Sequence, residues 1–338
     1  MIKMTRNIFV ISALALTLSA CGTLFDKDNT PPPAGLVNFT PQARVQTVWD
    51  TSSGSGVGKE YLVFTPTISG QTIFTANSNG IVTATDKTSG KIRWEMNTKT
   101  PLNSGTATNG NLVFVGTREG DLLALQQLDG QLVWKAHASS EILAPAASAG
   151  NVTVVKTIDG SVTGVSTQDG HELWHYQQAS PALILRGSSA PQISGASAVV
   201  GFEDGTLSKL SLKQGHLAWQ EIIAEPQGSF TIQRMVDIDA DPIIVGNRVY
   251  AATYQGKVAA LDLNSGHQLW SNDISSYAGI ASDGQTVFVS DAKSHLWAFD
   301  ARTGDTLWKQ NKLESRTITG PALVGRYLVV ADAEGYVH

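Results

Sequence analysis

A fixed internal ruler constrains this chain more than any other feature. Glycine, glycine ten residues on, glycine twenty on and tryptophan twenty-four on recur as Gly70, Gly80, Gly90 and Trp94, then as Gly110, Gly120, Gly130 and Trp134. The same spacing opens again at Gly150, Gly195, Gly246 and Gly284 and closes at Trp174, Trp219, Trp270 and Trp308. One internal slot departs, with Ser294 in place of the middle glycine. A seventh unit has Gly325 and Gly335 and reaches no third glycine before His338. Repetition at about 40 residues marks an array of supersecondary units, each burying its apolar face against its neighbours.

Between the glycines lie short, partly alternating β-branched and apolar stretches such as "TIFTA", "IVTAT" and "KVAALDL", which read as strands. The glycines stand where tight turns need positive φ. Pro66, Pro191, Pro242 and Pro321 precede a starting glycine by four residues and Pro145 by five, each introducing one more short strand. Four strands per unit predict an all-β β-propeller of four-stranded blades, with about seven units here and the last incomplete. The six repeat tryptophans then pack between blades. The segment "ARVQTVW" (residues 43–49) resembles the outer strand of a blade whose other strands are missing locally. Closing a ring by pairing it into the last blade would remove an exposed edge and set Trp49 beside the C-terminal end. Against that architecture the chain reads as C-terminally truncated.

The N-terminus carries a targeting signal. Lys3 and Arg6 precede the apolar run 8–20, too short to cross a hydrocarbon core of ~30 Å but suited to a signal peptide. The run ends at Leu18-Ser19-Ala20-Cys21, and Cys21 is the one cysteine of the chain. This resembles the bacterial lipobox, which implies cleavage before Cys21 and acylation of its thiol, with Gly22 favouring outer-membrane sorting. The expected division is a signal peptide at 1–20, an acylated flexible tether at 21–42 and a propeller at 43–338. No cysteine remains for a disulfide framework. A formal charge of −5 argues against a nucleic-acid binder, which would show a basic surface.

Candidate chemistry is mostly excluded by its place in the ruler. His171-Glu172-Leu173-Trp174-His175 matches the zinc-protease pattern in letters, but that pattern works on a helix. On a strand, four steps of ~3.3 Å separate the two histidines by about 13 Å, beyond one zinc ion. "GSGVGK" (54–59) lacks the first glycine and the Ser/Thr of a phosphate loop. The endings "ALDLNSGHQLW" and "AFDARTGDTLW" resemble the quinoprotein-type propeller repeat, which raises a pyrroloquinoline-quinone dehydrogenase as an alternative. Such enzymes typically use adjacent cysteines, calcium ligands and long insertions; this sequence offers no cysteine pair and no long insertions, and neither a cofactor nor a metal is expected.

Function is therefore sought where the ruler stops. The two longest stretches from a repeat tryptophan to the next starting glycine are adjacent: Trp174 to Gly195 and Trp219 to Gly246. The first holds "PALILRG" and the second "GSFTIQRMVDIDADP". Leu183, Leu185 and Arg186 beside Arg234, Asp237, Asp239 and Asp241 would make an apolar patch rimmed by mixed charge, as a protein–protein contact requires. The opposing reading packs Leu183 and Leu185 under their own loop, with the aspartates as solvated turn residues.

The lipobox, the tether, the repeat, "LILRGSSAP" and "RMVDIDADP" together resemble the BamB family, the propeller lipoproteins of the outer-membrane β-barrel assembly machinery, over residues 21–338. The resemblance implies an eight-bladed, non-catalytic scaffold that docks a POTRA domain of BamA and aids insertion of outer-membrane proteins. It assigns docking to Leu183, Leu185 and Arg186 in "LxLRG" and to Asp237 and Asp239 in "DxD". It also suggests contact with unfolded outer-membrane proteins by strand addition at blade edges. A propeller lipoprotein with another envelope partner is the remaining alternative. The family's last blade is absent from this sequence, which leaves ring closure open and the docking loops intact.

Overall fold

The computed structural model describes residues 31–38, 45–54, 62–187 and 189–338. Cys21 and the signal segment lie outside them, as does the run 54–59 apart from Gly54. Six four-stranded antiparallel sheets follow one another at residues 67–97, 107–137, 147–177, 192–222, 243–272 and 279–310, with strands paired in sequence order. The seventh unit is a two-stranded sheet, Ala322–Val324 with Tyr327–Val329, extended by a bridge between Ala331 and Val337. The first strands of successive sheets lie side by side, so each sheet is a propeller blade with its first strand innermost. Pro66, Pro191, Pro242 and Pro321 stand directly before such inner strands, where a missing N–H costs no ladder bond.

The ruler's glycines are set by backbone conformation. Gly80, Gly120, Gly160 and Gly205 turn the second strand into the third with φ of 88°, 85°, 83° and 80°. Ser294 adopts φ 69° in the same slot, and in the fifth blade the left-handed residue is Gln255. The third glycine has a second reason to lack a side chain. Trp134 lies over Gly170, where a Cβ would come within 2.6 Å of the ring, and its indole N–H donates to the Thr167 carbonyl at 2.9 Å. Trp94, Trp174, Trp219 and Trp270 repeat this seat on Gly130, Gly215, Gly266 and Gly304. Trp308, with no such glycine after it, stays 41% exposed.

Trp49 takes the same seat at the start of the propeller, over Gly90 with its N–H on the Lys87 carbonyl at 2.9 Å. It packs on the first blade as the outer-strand tryptophan of a preceding blade would. Residues 45–54 form no strand. Nearer the other end, the Ala34 amide donates to the Glu314 carbonyl at 2.9 Å, and the Arg316 guanidinium donates to the Ala34 carbonyl at 2.8 Å.

The core lies between blades. Phe114, Leu122 and Trp134 of the second blade pack with Val155 and Val165 of the third, and Trp174 of the third packs with Val200 and Leu210 of the fourth. In a four-stranded antiparallel sheet the end of the last strand falls on the same side as the turn between strands two and three. The connectors 178–191 and 223–242 therefore emerge together, beside those turns.

Candidate functional site

The two long connectors interlock. The Leu185 amide donates to Asp237 Oδ1 at 2.8 Å, and the Ala190 amide to Asp241 Oδ1 at 2.6 Å. Between them Gly187 backs directly onto Asp239, whose carboxyl carbon would lie 2.6 Å from a Cβ there. Spacing by two sends the three carboxylates of an extended segment to one side, here toward the neighbouring connector. The segment is fixed from behind as well, through the Ile238 amide on the Phe202 carbonyl at 3.1 Å and the Tyr254 amide on the Asp237 carbonyl at 2.9 Å.

This corrects one sequence expectation. Asp237 is 1% exposed and Asp239 is half-buried, so the pair does not form a solvated rim. The physical reason is that Asp237 accepts the Leu185 amide, which would otherwise be orphaned, and Asp239 lies directly against Gly187. Outward go Leu183, 44% exposed, and Arg186, with Leu185 and Ile184 half-buried beside them. Arg186 reaches across to Glu141 of the connector after the second blade, Nη2 to Oε1 at 2.5 Å. Asn103 bonds the same oxygen and Arg118 lies 4.0 Å from it. Phe230 and Ile232, in and beside a 3-10 turn at Thr231–Arg234, are also exposed. Arg234 is exposed at its end.

Beneath the aspartates sits a buried ion pair. Lys156 ends the strand Val152–Lys156 with its side chain shut off from solvent. Its Nζ lies 2.7 Å from Glu203 Oε1 and 2.6 Å from the Gly201 carbonyl. Burial pushes the Asp237 carboxyl up to about 6, and the Leu185 amide opposes the shift. Burial, then the Asp237 charge, raises Asp239 well above the usual range. Burial likewise raises Asp241 against the Ala190 amide. Asp237 Oδ2 and Asp239 Oδ1 have no hydrogen-bond partner among the described residues.

Sequence reading missed Glu141, Lys156 and Glu203. A signal for the lysine was present. The last residue of the second strand is Ala76, Gly116, Gly201, Ala252 or Ser290 in the other four-stranded blades, so a lysine in a slot of small residues stands out. The histidines of the protease-like motif sit as the ruler implied: His175 is on the strand Glu172–Gln177. His171 lies before it, exposed and paired with Asp169 at 2.6 Å.

Known proteins resemble this chain over most of its length. The family model described as outer membrane protein assembly factor BamB matches residues 78–310. The BamB of Alkalilimnicola ehrlichii is 48% identical over 99% of this chain and 86% of its own length. That of Legionella pneumophila is 45% identical over 99% of this chain and 88% of its own. Among solved structures, the crystal structure of BamB from Moraxella catarrhalis superposes with a TM-score of 0.77 at 28% identity, covering 81% of this chain and 83% of that one. A propeller of this repeat with relatives at such identity over nearly its whole length belongs to the BamB family of outer membrane protein assembly factors.

Proposed function

We propose that the protein is a non-catalytic scaffold subunit of the outer-membrane protein assembly machinery. It is anchored on the periplasmic face of the outer membrane by lipid on Cys21 and docks a POTRA domain of BamA through the paired connectors. The observation that carries this reading is the clasp itself. Two connectors longer than the rest are locked together by Asp237 and Asp241 and present Leu183 and Arg186 outward. A preorganised apolar knob with a neighbouring arginine loses little entropy on binding, and arginine is a residue type enriched at interface hot spots. Leu185 supports the knob, and Asp237 and Asp239 contribute by holding its backbone.

Capture of BamA by the wild type and by Arg186→Ala and Leu185→Ala tests the site. Loss of a central anchor should cost on the order of 2 kcal/mol or more, about thirtyfold in affinity. Unchanged capture by correctly folded variants overturns it. Contact with unfolded outer-membrane chains is the second part of the proposal, supported by exposed outer strands such as Thr306–Gln310, whose edges can accept an added strand. Crosslinking from that edge in cells should give nascent-barrel adducts, and adducts to POTRA domains alone would remove this part.

A further inference from the structure

The charges beneath the connectors are unevenly matched: Glu203 and Asp237 are buried, Asp239 is half-buried and Asp241 is exposed at the edge. Glu203, Asp237, Asp239 and Asp241 come from two separate elements, and Lys156 comes from the blade before. Burying a carboxylate is costly unless a charge or several donors compensate it. Asp237 and Asp241 each receive one backbone amide, while Asp239 Oδ1 receives none among the described residues. The lysine is joined to the connectors through the backbone. Its Nζ holds the Gly201 carbonyl, and Gly201 is wedged against Ile238 and Ser189, one from each connector, with room for no Cβ. Glu203, its ion partner, follows Phe202, whose carbonyl takes the Ile238 amide.

We propose that Lys156 is the positioning residue of the docking connectors: its buried ammonium offsets Glu203, Asp237, Asp239 and Asp241 and thereby keeps both connectors clasped. The inference rests on the docking reading for its purpose, although the clasp can be measured without any partner. The charged groups facing the clasp are Lys156 from its strand, Glu203 from the next blade's turn and the three aspartates of the second connector. On the first connector Arg186 is occupied by Glu141. Without the ammonium, the carboxylates lose their compensation while ionised and regain tolerance once protonated. The Asp237 carboxyl, raised to about 6, puts that change within reach of mildly acidic pH, and Asp239 is raised as well.

Site-resolved amide exchange of Leu185 and Ala190, the two clasp donors, provides the test. Lys156→Met should lose about tenfold or more protection at both amides near pH 7.5, and the loss should shrink toward about pH 5.5. Adding Asp239→Asn, which removes a carboxylate and keeps its shape, should return protection to within about threefold of wild type at neutral pH. A lysine that only filled space would give a loss independent of pH and untouched by Asp239→Asn. Either that result or wild-type protection in Lys156→Met overturns the proposal. If Lys156→Met does not fold at neutral pH, folding of the double variant supports the proposal and its failure at both pH values overturns it. Loosened amides with undiminished BamA capture would instead overturn the docking reading and leave the role of Lys156 standing.

Discussion

Two buried charge clusters on this propeller solve one problem in opposite ways. Under the docking connectors, Lys156 faces four carboxylates, and burial drives Asp237 and Asp239 upward. In the seventh unit Asp332 is equally shut off from solvent. There Arg316 Nε lies 2.6 Å from Asp332 Oδ2, His338 Nε2 approaches the same oxygen at 2.9 Å, and the Glu334 and Tyr336 amides donate to Oδ1 at 3.0 and 2.9 Å. Burial pushes this carboxyl up too, but the donors outweigh it and leave it far below the usual carboxylate range. Donor count, rather than burial, decides the sign. One cluster is held by a single offsetting ammonium, and the other is saturated.

The sharpest way to break the comparison is to remove each cation. Lys156→Met should destabilise the protein by about 3–5 kcal/mol in urea unfolding, since it strands buried carboxylates. Arg316→Met should instead open the Glu334 and Tyr336 amides in exchange, and leave those of Leu185 and Ala190 as they were. If Arg316→Met loosens the connectors as well, the clusters are not independent.

A smaller effect separates the two by pH. A carboxyl whose folded pKa is raised takes up protons the unfolded chain does not, so its destabilising effect is full above about 6 and is relieved as pH falls toward the ordinary value. Asp239→Asn should therefore exceed the wild type in stability at alkaline pH, by on the order of 1 kcal/mol for a carboxylate left without a donor, with the gap narrowing as the pH falls. Asp332, with its pKa lowered, contributes stability above the ordinary carboxylate value and loses it only in stronger acid. Wild type and Asp332→Asn should accordingly keep a constant gap over the same pH range, with the variant less stable. A gap of equal slope in both pairs would erase the distinction. The smallest expected change is Glu334→Gln. That carboxylate is half exposed, and partly solvated ion pairs are worth about 0–1 kcal/mol, so its midpoint should stay close to wild type.

Legibility in the sequence followed the same divide between local and assembled features. The blades could be read because each glycine slot except Gly256 has a local cause, a left-handed turn, and each tryptophan recurs at a fixed offset from it. Ser294, in place of a glycine, adopts the glycine conformation nonetheless. The connectors could be found as the longest breaks in the ruler, and Leu183 and Arg186 are exposed as expected. The inward turn of Asp237 was not legible. A run of alternating aspartates looks solvated until the amides of Leu185 and Ala190, some fifty residues earlier in the chain, are known to lie against it. Glu141 was hidden for the same reason: its partner Arg186 lies on the next connector, 45 residues further along the chain.

The sequence by itself determined the period, the strand count per blade, the turn residues and the place where the pattern breaks, because φ preferences and alternation act over a few residues. Only the tertiary structure decided which breaks meet. It also decided that tryptophans seat on the next blade's glycines, and that a lone lysine among small residues sits beneath four carboxylates. Those outcomes depend on stacking blades at close range, where burial multiplies the consequence of every charge and no local propensity records it.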